Sequence, residues 1–312
     1  MNQHILLLGG IIIDEYIVVN EFPARGEDTI ITDSFHKVGG CAINVAMTLK
    51  NLGLKPQIAS VLGMDERGKE INDYLLDHGL SRACIQMTPN KKTGYCISIL
   101  EDSGERTFLT YKGCEAEFSF DIIREDILKE TSFLFVTGYY LLDDNFAGTI
   151  IQYIQKAKDL GIKILFDPGS LVSKIDRHIL LSMMNLADMI TPNEGELEKI
   201  IVLLNIKKEN FSSWLFKKGV RWLVEKKGKL GVNLWDNSSG KQMFIPSYKV
   251  SCIDTSGAGD SFAGGLIYGL LQGYDMPKSI KLASACGAFT TTFMGPHKNF
   301  TLKDILKIVG ES

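Results

Sequence analysis

At 312 residues, with 34 Lys and Arg against 37 Asp and Glu, the chain carries a formal charge of −3, and so lacks the basic surplus or tract by which nucleic-acid binders hold a polyanion. Its 45% apolar and 23% charged residues match a globular protein long enough to bury a sizeable core. The longest apolar run, residues 5–13, stops at Asp14 and Glu15, well short of the ~18 residues that span a bilayer. No Lys or Arg precedes Arg25, so this run does not read as a signal peptide, and the expected location is the cytoplasm. Six cysteines without a C-x-x-C pair, and five scattered histidines, predict reduced thiols, no structural zinc and no metal cluster.

In chain order, residues 4–13 form a continuous β-rich run that predicts one strand buried on both faces of a parallel sheet. Residues 15–38 and 93–111 break the strand–helix rhythm and read as strands with polar turns. They are expected to pair into a small separate sheet that lids a site, forms a dimer contact or extends an edge. Between them, Gly39-Gly40 opens a helix running to Leu52 and ending at Gly53. Asp102-Ser103-Gly104 is a candidate hairpin turn between strands at 96–101 and 106–111. Two buried strands follow at 133–137 and 162–167, separated by a helix at 145–160 that ends at Gly161. Residues 187–191 give a short strand, then Pro192 and an acidic helix start. Strands at 222–226, 231–236 and 242–245, with a turn at 237–240, precede helices at 259–272, 276–293 and 302–309. The alternation predicts a doubly wound α/β sheet in one main domain with an inserted small sheet.

Residues 254–265 read Asp-Thr-Ser-Gly-Ala-Gly-Asp-Ser-Phe-Ala-Gly-Gly. Gly257 and Gly259 let the backbone turn tightly against a ligand, and the helix that follows offers free N–H groups and a positive dipole end, which together form an anion hole fit for phosphate. Asp260 at that spot either caps the helix or accepts the proton of an attacking hydroxyl. Gly39 and Gly40 permit close approach by a substrate, and Asn44 offers a donor and an acceptor to hydroxyl groups. Asn193 and Glu196 share one face of a helix start and could hold hydrated Mg²⁺ or simply favour the dipole. There is no Walker A sequence and no G-x-G-x-x-G after the first strand, which speaks against a P-loop NTPase or a dinucleotide-binding fold.

With Ile5-Leu6-Leu7-Leu8-Gly9-Gly10 and Asp14 at the start, Gly39 through Asn44 with Gly53 and Gly63, and the run from Asp254 to Ile267, the chain resembles the ribokinase-like (PfkB) carbohydrate kinases over nearly its whole length. The resemblance implies a ribokinase-like doubly wound sheet flanked by helices, with a small β-sheet lid inserted at roughly 15–38 and 93–111. It also implies an ATP-dependent kinase that transfers the γ-phosphate to a primary hydroxyl of a sugar such as ribose or fructose. Asp260 then matches the catalytic base, and the N–H groups of Gly257, Ala258 and Gly259 its anion hole. Asp14, Gly39, Gly40 and Asn44 match positions that bind sugar hydroxyls. Asn193 and Glu196 match the N-x-x-E motif associated with Mg²⁺ and phosphate, and Lys227, Gly228 and Gly231 lie beside the nucleotide. Many relatives bind K⁺ near the anion hole, which here points to Asp254, Ser256, Thr290, Gly295 and Asn299. In many members the lid is also a homodimer surface. Arg106 lies on the second lid strand, either reaching the substrate or solvated. Cys41 stands where ribokinases proper carry Lys, and Val136-Thr137-Gly138-Tyr139-Tyr140 replaces the Ser-Gly-Ser-x-Pro stretch of many sugar-phosphate kinases. Tyr139 and Tyr140 could stack on a sugar or base, or pack at the sheet end. A nucleoside kinase of the same family, or a catalytically silent sugar-binding relative, are the alternatives; intact Asp260 and Glu196 argue against the silent one.

Overall fold

The apolar run at the N-terminus does not continue as one strand. In the computed structural model, which describes residues 4–103, 105–115 and 117–310 with Phe120 by its backbone only, the run divides at its glycines. β1 (His4–Leu8) belongs to a large sheet and β2 (Ile12–Val19) to a small one. The reason is steric: a Cβ on Gly9 would stand 2.9 Å from Thr137 Cγ2, and one on Gly10 would overlap the Glu115 carboxylate, so only glycine lets the chain pass here.

The chain returns antiparallel as β3 (Ile31–Gly39), then enters α1 (Cys41–Asn51), β4 (Pro56–Gly63), α2 (Glu66–Asp77) and β5 (Ile85–Thr88). The hairpin β6 (Tyr95–Glu101) and β7 (Arg106–Tyr111) completes the small sheet, in the order β3-β2-β6-β7. Asp102 and Ser103 lie in its turn, while Gly104, the third residue of the expected turn, lies outside the described residues. Next come α3 (Glu125–Glu130), β8 (Thr131–Thr137), α4 (Asp144–Asp159), β9 (Lys163–Asp167) and α5 (Arg177–Leu186). They are followed by β10 (Met189–Ile190), α6 (Glu194–Leu204), α7 (Phe211–Lys217), β11 (Trp222–Lys226), β12 (Gly231–Asp236) and β13 (Lys241–Pro246). The chain closes with α8 (Ala258–Leu271), α9 (Met276–Thr290) and α10 (Leu302–Val309). α9 stops short of the expected 293 because Thr291 and Thr292 turn their hydroxyls onto the carbonyls of Ala288 and Phe289, each at 2.8 Å.

The large sheet has the order β13-β12-β11-β10-β9-β8-β1-β4-β5. Strands from β11 to β5 run parallel, and β12 and β13 extend one edge antiparallel. Alternation along β1 sends Ile5 and Leu7 to a core with α1, α8, α9 and α10, and Leu6 and Leu8 to a core with α3 to α7. This is the doubly wound arrangement, and it gathers the C-terminal ends of β1, β8, β9, β10 and β11 along one rim, where such sheets bind ligands. Among the described residues no helix is long and apolar enough to cross a membrane. All six cysteines are free.

Candidate active site

A cavity of about 240 Å³ lies between the small sheet and the N-termini of α1 and α8. The small sheet gives it one face: Asp14 and Tyr16 of β2, Cys96 and Ser98 of β6, and Phe108 and Thr110 of β7 all line it. Register explains the set, since Asp14 pairs with Cys96 and Tyr16 with Ser98, while Ser98 and Cys96 face Phe108 and Thr110.

Opposite stands Asp260 in the first turn of α8. Gly257 precedes that helix with φ 70°, and a Cβ there would come within 2.3 Å of Pro296 O, so the turn requires glycine. α8 has no side-chain cap, and the Asp260 carboxylate instead accepts from Asn44 Nδ2 at 2.8 Å. The N–H groups of Gly257 and Gly259 have no hydrogen-bond acceptor among the described residues, whereas that of Ala258 donates to Thr255 O at 3.3 Å. The free donors of the expected hole therefore flank Ala258. Burial pushes the Asp260 carboxyl up to about 7; the hydrogen bond from Asn44 opposes this and the Asp167 charge adds to it.

Asp14 sits against the paired glycines, where a Cβ on Gly39 would stand 1.9 Å from its Oδ2. Burial, then the charges of Asp260 and Glu115, push its carboxyl up to about 7 against a hydrogen bond from the Gly40 N–H. Gly40, with φ 96°, precedes α1, whose first residue Cys41 faces Asp260 and Thr137 with its thiol pushed up by burial. Asn44 is buried, with Oδ1 2.9 Å from His297 Nδ1. The sequence reading of Asn44 as a ligand of hydroxyls did not include these two protein partners.

At the neighbouring strand ends, Asn193 and Glu196 form a reciprocal capping box on α6: Glu196 N–H donates to Asn193 Oδ1 and Asn193 N–H to Glu196 Oε2, both at 2.8 Å. Burial raises the Glu196 carboxyl, the Asp167 charge adds to this and Lys226 opposes it. Lys226 Nζ is 2.6 Å from Asp167 Oδ2, which Thr191 also contacts at 3.0 Å, and it lies 3.5 Å from where a Cβ on Gly259 would stand. Sequence reading missed Asp167 and Lys226; the available signal was their place as last residues of two parallel strands. It named the next residue instead. Lys227 spends its ammonium on Glu194 at 2.9 Å and lies 4.0 Å from Glu225, while Gly228 (φ 54°) and Gly231 (φ 133°) shape the turn beyond.

Of the residues gathered for K⁺, the side chains of Asp254, Ser256 and Thr290 already have protein partners. Asp254 Oδ1 accepts from Arg106 Nη1 at 2.5 Å and from Ser256 N–H at 2.7 Å, and Oδ2 accepts from Gly295 N–H at 2.7 Å. Arg106 also donates to Ser256 Oγ at 3.1 Å. Burial works to raise the Asp254 carboxyl, but these bonds hold it below the usual carboxylate range. Thr290 turns its hydroxyl to Ser261 Oγ and Cys286 O, and Asn299 is exposed. Arg106 is thus mostly buried and joins the small sheet to the turn before α8.

Two further cavity residues escaped the sequence reading. Glu115 is buried over Gly10 and paired with Lys112. Of the two tyrosines, Tyr140 packs in the core with its hydroxyl donating to Ala59 O at 3.2 Å, and Tyr139 lines the cavity, its hydroxyl 2.7 Å from Ser170 Oγ.

The pattern of the pfkB family carbohydrate kinases matches residues 2–301. YegV, an uncharacterized sugar kinase of Escherichia coli strain K12, is 26% identical over 313 residues, spanning 97% of this chain and 93% of its own. Among solved structures, a fructokinase with bound ATP from Xylella fastidiosa superposes with a TM-score of 0.87 at 20% identity over 99% of each chain. A Burkholderia thailandensis nucleoside kinase in complex with inosine superposes with a TM-score of 0.81 at 22% identity, over 99% of this chain and 97% of its own. The ribokinase-like fold is therefore shared from end to end, and with a family pattern running almost the full length, the protein belongs to the pfkB family of carbohydrate kinases, phosphotransferases whose acceptor is an alcohol group.

Proposed function

We propose that the enzyme transfers the γ-phosphoryl group of ATP to a primary hydroxyl of an unphosphorylated sugar bound between the small sheet and α8. The observation that carries this is Asp260: a half-buried carboxylate on the cavity wall, in the first turn of a helix that it does not cap, beside unbonded backbone N–H groups. Asp14, the Gly39-Gly40 backbone and the remaining valences of Asn44 hold sugar hydroxyls. Asp260 accepts the proton of the attacking hydroxyl, and a carboxyl near 7 is matched to that task at neutral pH. The N–H groups of Gly257 and Gly259 and the Lys226 ammonium face the charge that grows on the transferring phosphoryl group. Among the described residues of the cavity wall the cation is Lys112, and it is already paired with Glu115, which leaves none of them a free positive charge for a phosphorylated acceptor.

Among the described residues no three acidic, His or Cys side chains converge as a direct metal site. Asn193 and Glu196 spend atoms on each other, so they fit Mg²⁺ held through water, with Asp167 adding negative charge nearby. Bound with ATP, the metal would neutralise phosphate charge. A monovalent cation does not fit: the Arg106 guanidinium already supplies the positive charge at Asp254.

The small sheet acts as a lid that excludes water as a competing acceptor. Its exposed apolar residues Ile31, Leu109 and Tyr111 suit a homodimer contact on the edge strands β3 and β7. Free thiols suit the cytoplasm. A nucleoside acceptor is the second reading, favoured by the Tyr139 ring on the cavity wall. Incubation with ATP and ribose, fructose, 2-keto-3-deoxygluconate, adenosine or pseudouridine, with the product read by mass, separates the two. Turnover of none of these or of any other polyol would reject the kinase reading.

A further inference from the structure

Behind Asp260 a line of hydrogen-bonded side chains leads to α2. Asn44 Nδ2 lies 2.8 Å from Asp260 Oδ2, Asn44 Oδ1 lies 2.9 Å from His297 Nδ1, and His297 Nε2 lies 2.7 Å from the Tyr74 hydroxyl. The chemistry orders this line. A carboxylate only accepts, so the amide nitrogen of Asn44 faces it and the amide oxygen faces His297. His297 Nδ1 must then donate, which leaves Nε2 to accept the phenol proton in a neutral ring. Burial, with the charge of Lys37 and the neighbouring His78, pushes the His297 pKa down to about 4, so the ring stays neutral through the working range. The segment that carries it is pinned on both sides: Lys37 Nζ donates to Met294 O at 2.9 Å and Asn51 Nδ2 to Lys298 O at 2.9 Å.

We propose that His297 is a positioning residue for phosphoryl transfer: its Nδ1–H locks the amide of Asn44 with the nitrogen toward Asp260, and so fixes the carboxylate that takes the substrate proton. The proposal rests on Asp260 being that base. Without a donor at position 297 the Asn44 amide is free to turn its oxygen to the carboxylate, setting acceptor against acceptor. Asp260 then loses the hydrogen bond that opposes its burial, and its affinity for a proton rises. The other groups facing it are Asp14 from β2, Cys41 from α1, Asp167 from β9 and Lys226 from β11, and they are the same in every variant. Those facing His297 are Lys37 from β3, Asn44 from α1, and Tyr74 and His78 from α2.

Two measurements test this. Long-range ¹H–¹⁵N spectra of histidine-labelled enzyme, which need no acceptor, should show His297 as the neutral Nδ1–H tautomer down to about pH 5. An Nε2–H tautomer, or titration near 6.5, would overturn the proposal. With ATP and the panel acceptor that turns over fastest, His297→Leu should lower kcat by about tenfold, shift its acid limb up by roughly half a pH unit or more, and leave KM for ATP within about twofold. His297→Gln, whose amide can donate to Asn44, should keep the wild-type limb. An unmoved limb in His297→Leu, or Gln no better than Leu, also overturns it. Failure of the base assignment is separate, since it would show as near-normal turnover in Asp260→Asn whatever the tautomer of His297.

Discussion

The base role proposed for Asp260 rests on the fold denying its charge ordinary solvation. Its carboxyl rises to about 7, high enough to accept a proton and low enough to be ionised in neutral buffer. Asp260→Asn should leave ATP affinity within about threefold and lower kcat by ~10² or more, the range for losing a general base. Equal and mild losses in both would leave Asp260 a structural residue of α8. The sequence made this residue legible because its turn is sterically constrained: Gly257 and Gly39 are required by contacts with Pro296 and Asp14, and such constraints leave fixed spacings. Nothing comparable marks His297, Glu115, Lys226 or Arg106. They reach the site across long stretches of chain, with 253 positions between His297 and Asn44 and 148 between Arg106 and Asp254, and no local pattern encodes such pairings.

At the scale of elements, the small sheet meets the turn before α8 through Arg106, the first residue of β7. Its guanidinium is mostly buried and Asp254 fully so, which gives the pair more weight than an exposed bridge has. Arg106→Gln should therefore loosen both the lid and the anion-hole turn: kcat falling about tenfold or more, and ATP hydrolysis without acceptor rising relative to transfer. The wild-type enzyme should show equal initial rates in K⁺, Na⁺ and tetramethylammonium chloride at matched ionic strength, and a clear K⁺ preference would return Asp254 to a cation site. The strands of this sheet were visible as stretches with polar turns that break the strand–helix rhythm. The split of residues 4–13 between two sheets was not, because β1 and the start of β2 are both buried and periodicity does not say in which sheet. α2 went unseen for the opposite reason: in a polar helix, Ile71 and Leu75 are its buried apolar side chains.

For the whole molecule, the same burial that suits the site to catalysis opposes stability. Asp14 and Asp260 have ordinary values of 3.8 and rise to about 7 in the folded protein, so between these limits the folded state holds protons that the unfolded state releases. Their contribution to stability is therefore fully present below about pH 4 and declines as pH rises to about 7, above which both are held as poorly solvated charges. The base role proposed for Asp260 requires that upper range, where its proton is gone. Asp14→Asn removes one poorly solvated charge and relieves the repulsion among Asp14, Asp260 and Glu115. Its advantage over wild type should be small at pH 5 and larger at pH 8 by roughly 1–3 kcal/mol, about 2 °C or more in Tm. The gain should come with a raised KM for the acceptor, because in the proposed function Asp14 holds a hydroxyl and the amide is a weaker partner. Thermal unfolding of both proteins at the two pH values decides it. A difference in Tm that does not grow between pH 5 and pH 8 would mean that Asp14 keeps an ordinary, solvated carboxyl in the folded enzyme, and the tension between stability and activity would then rest on Asp260 alone.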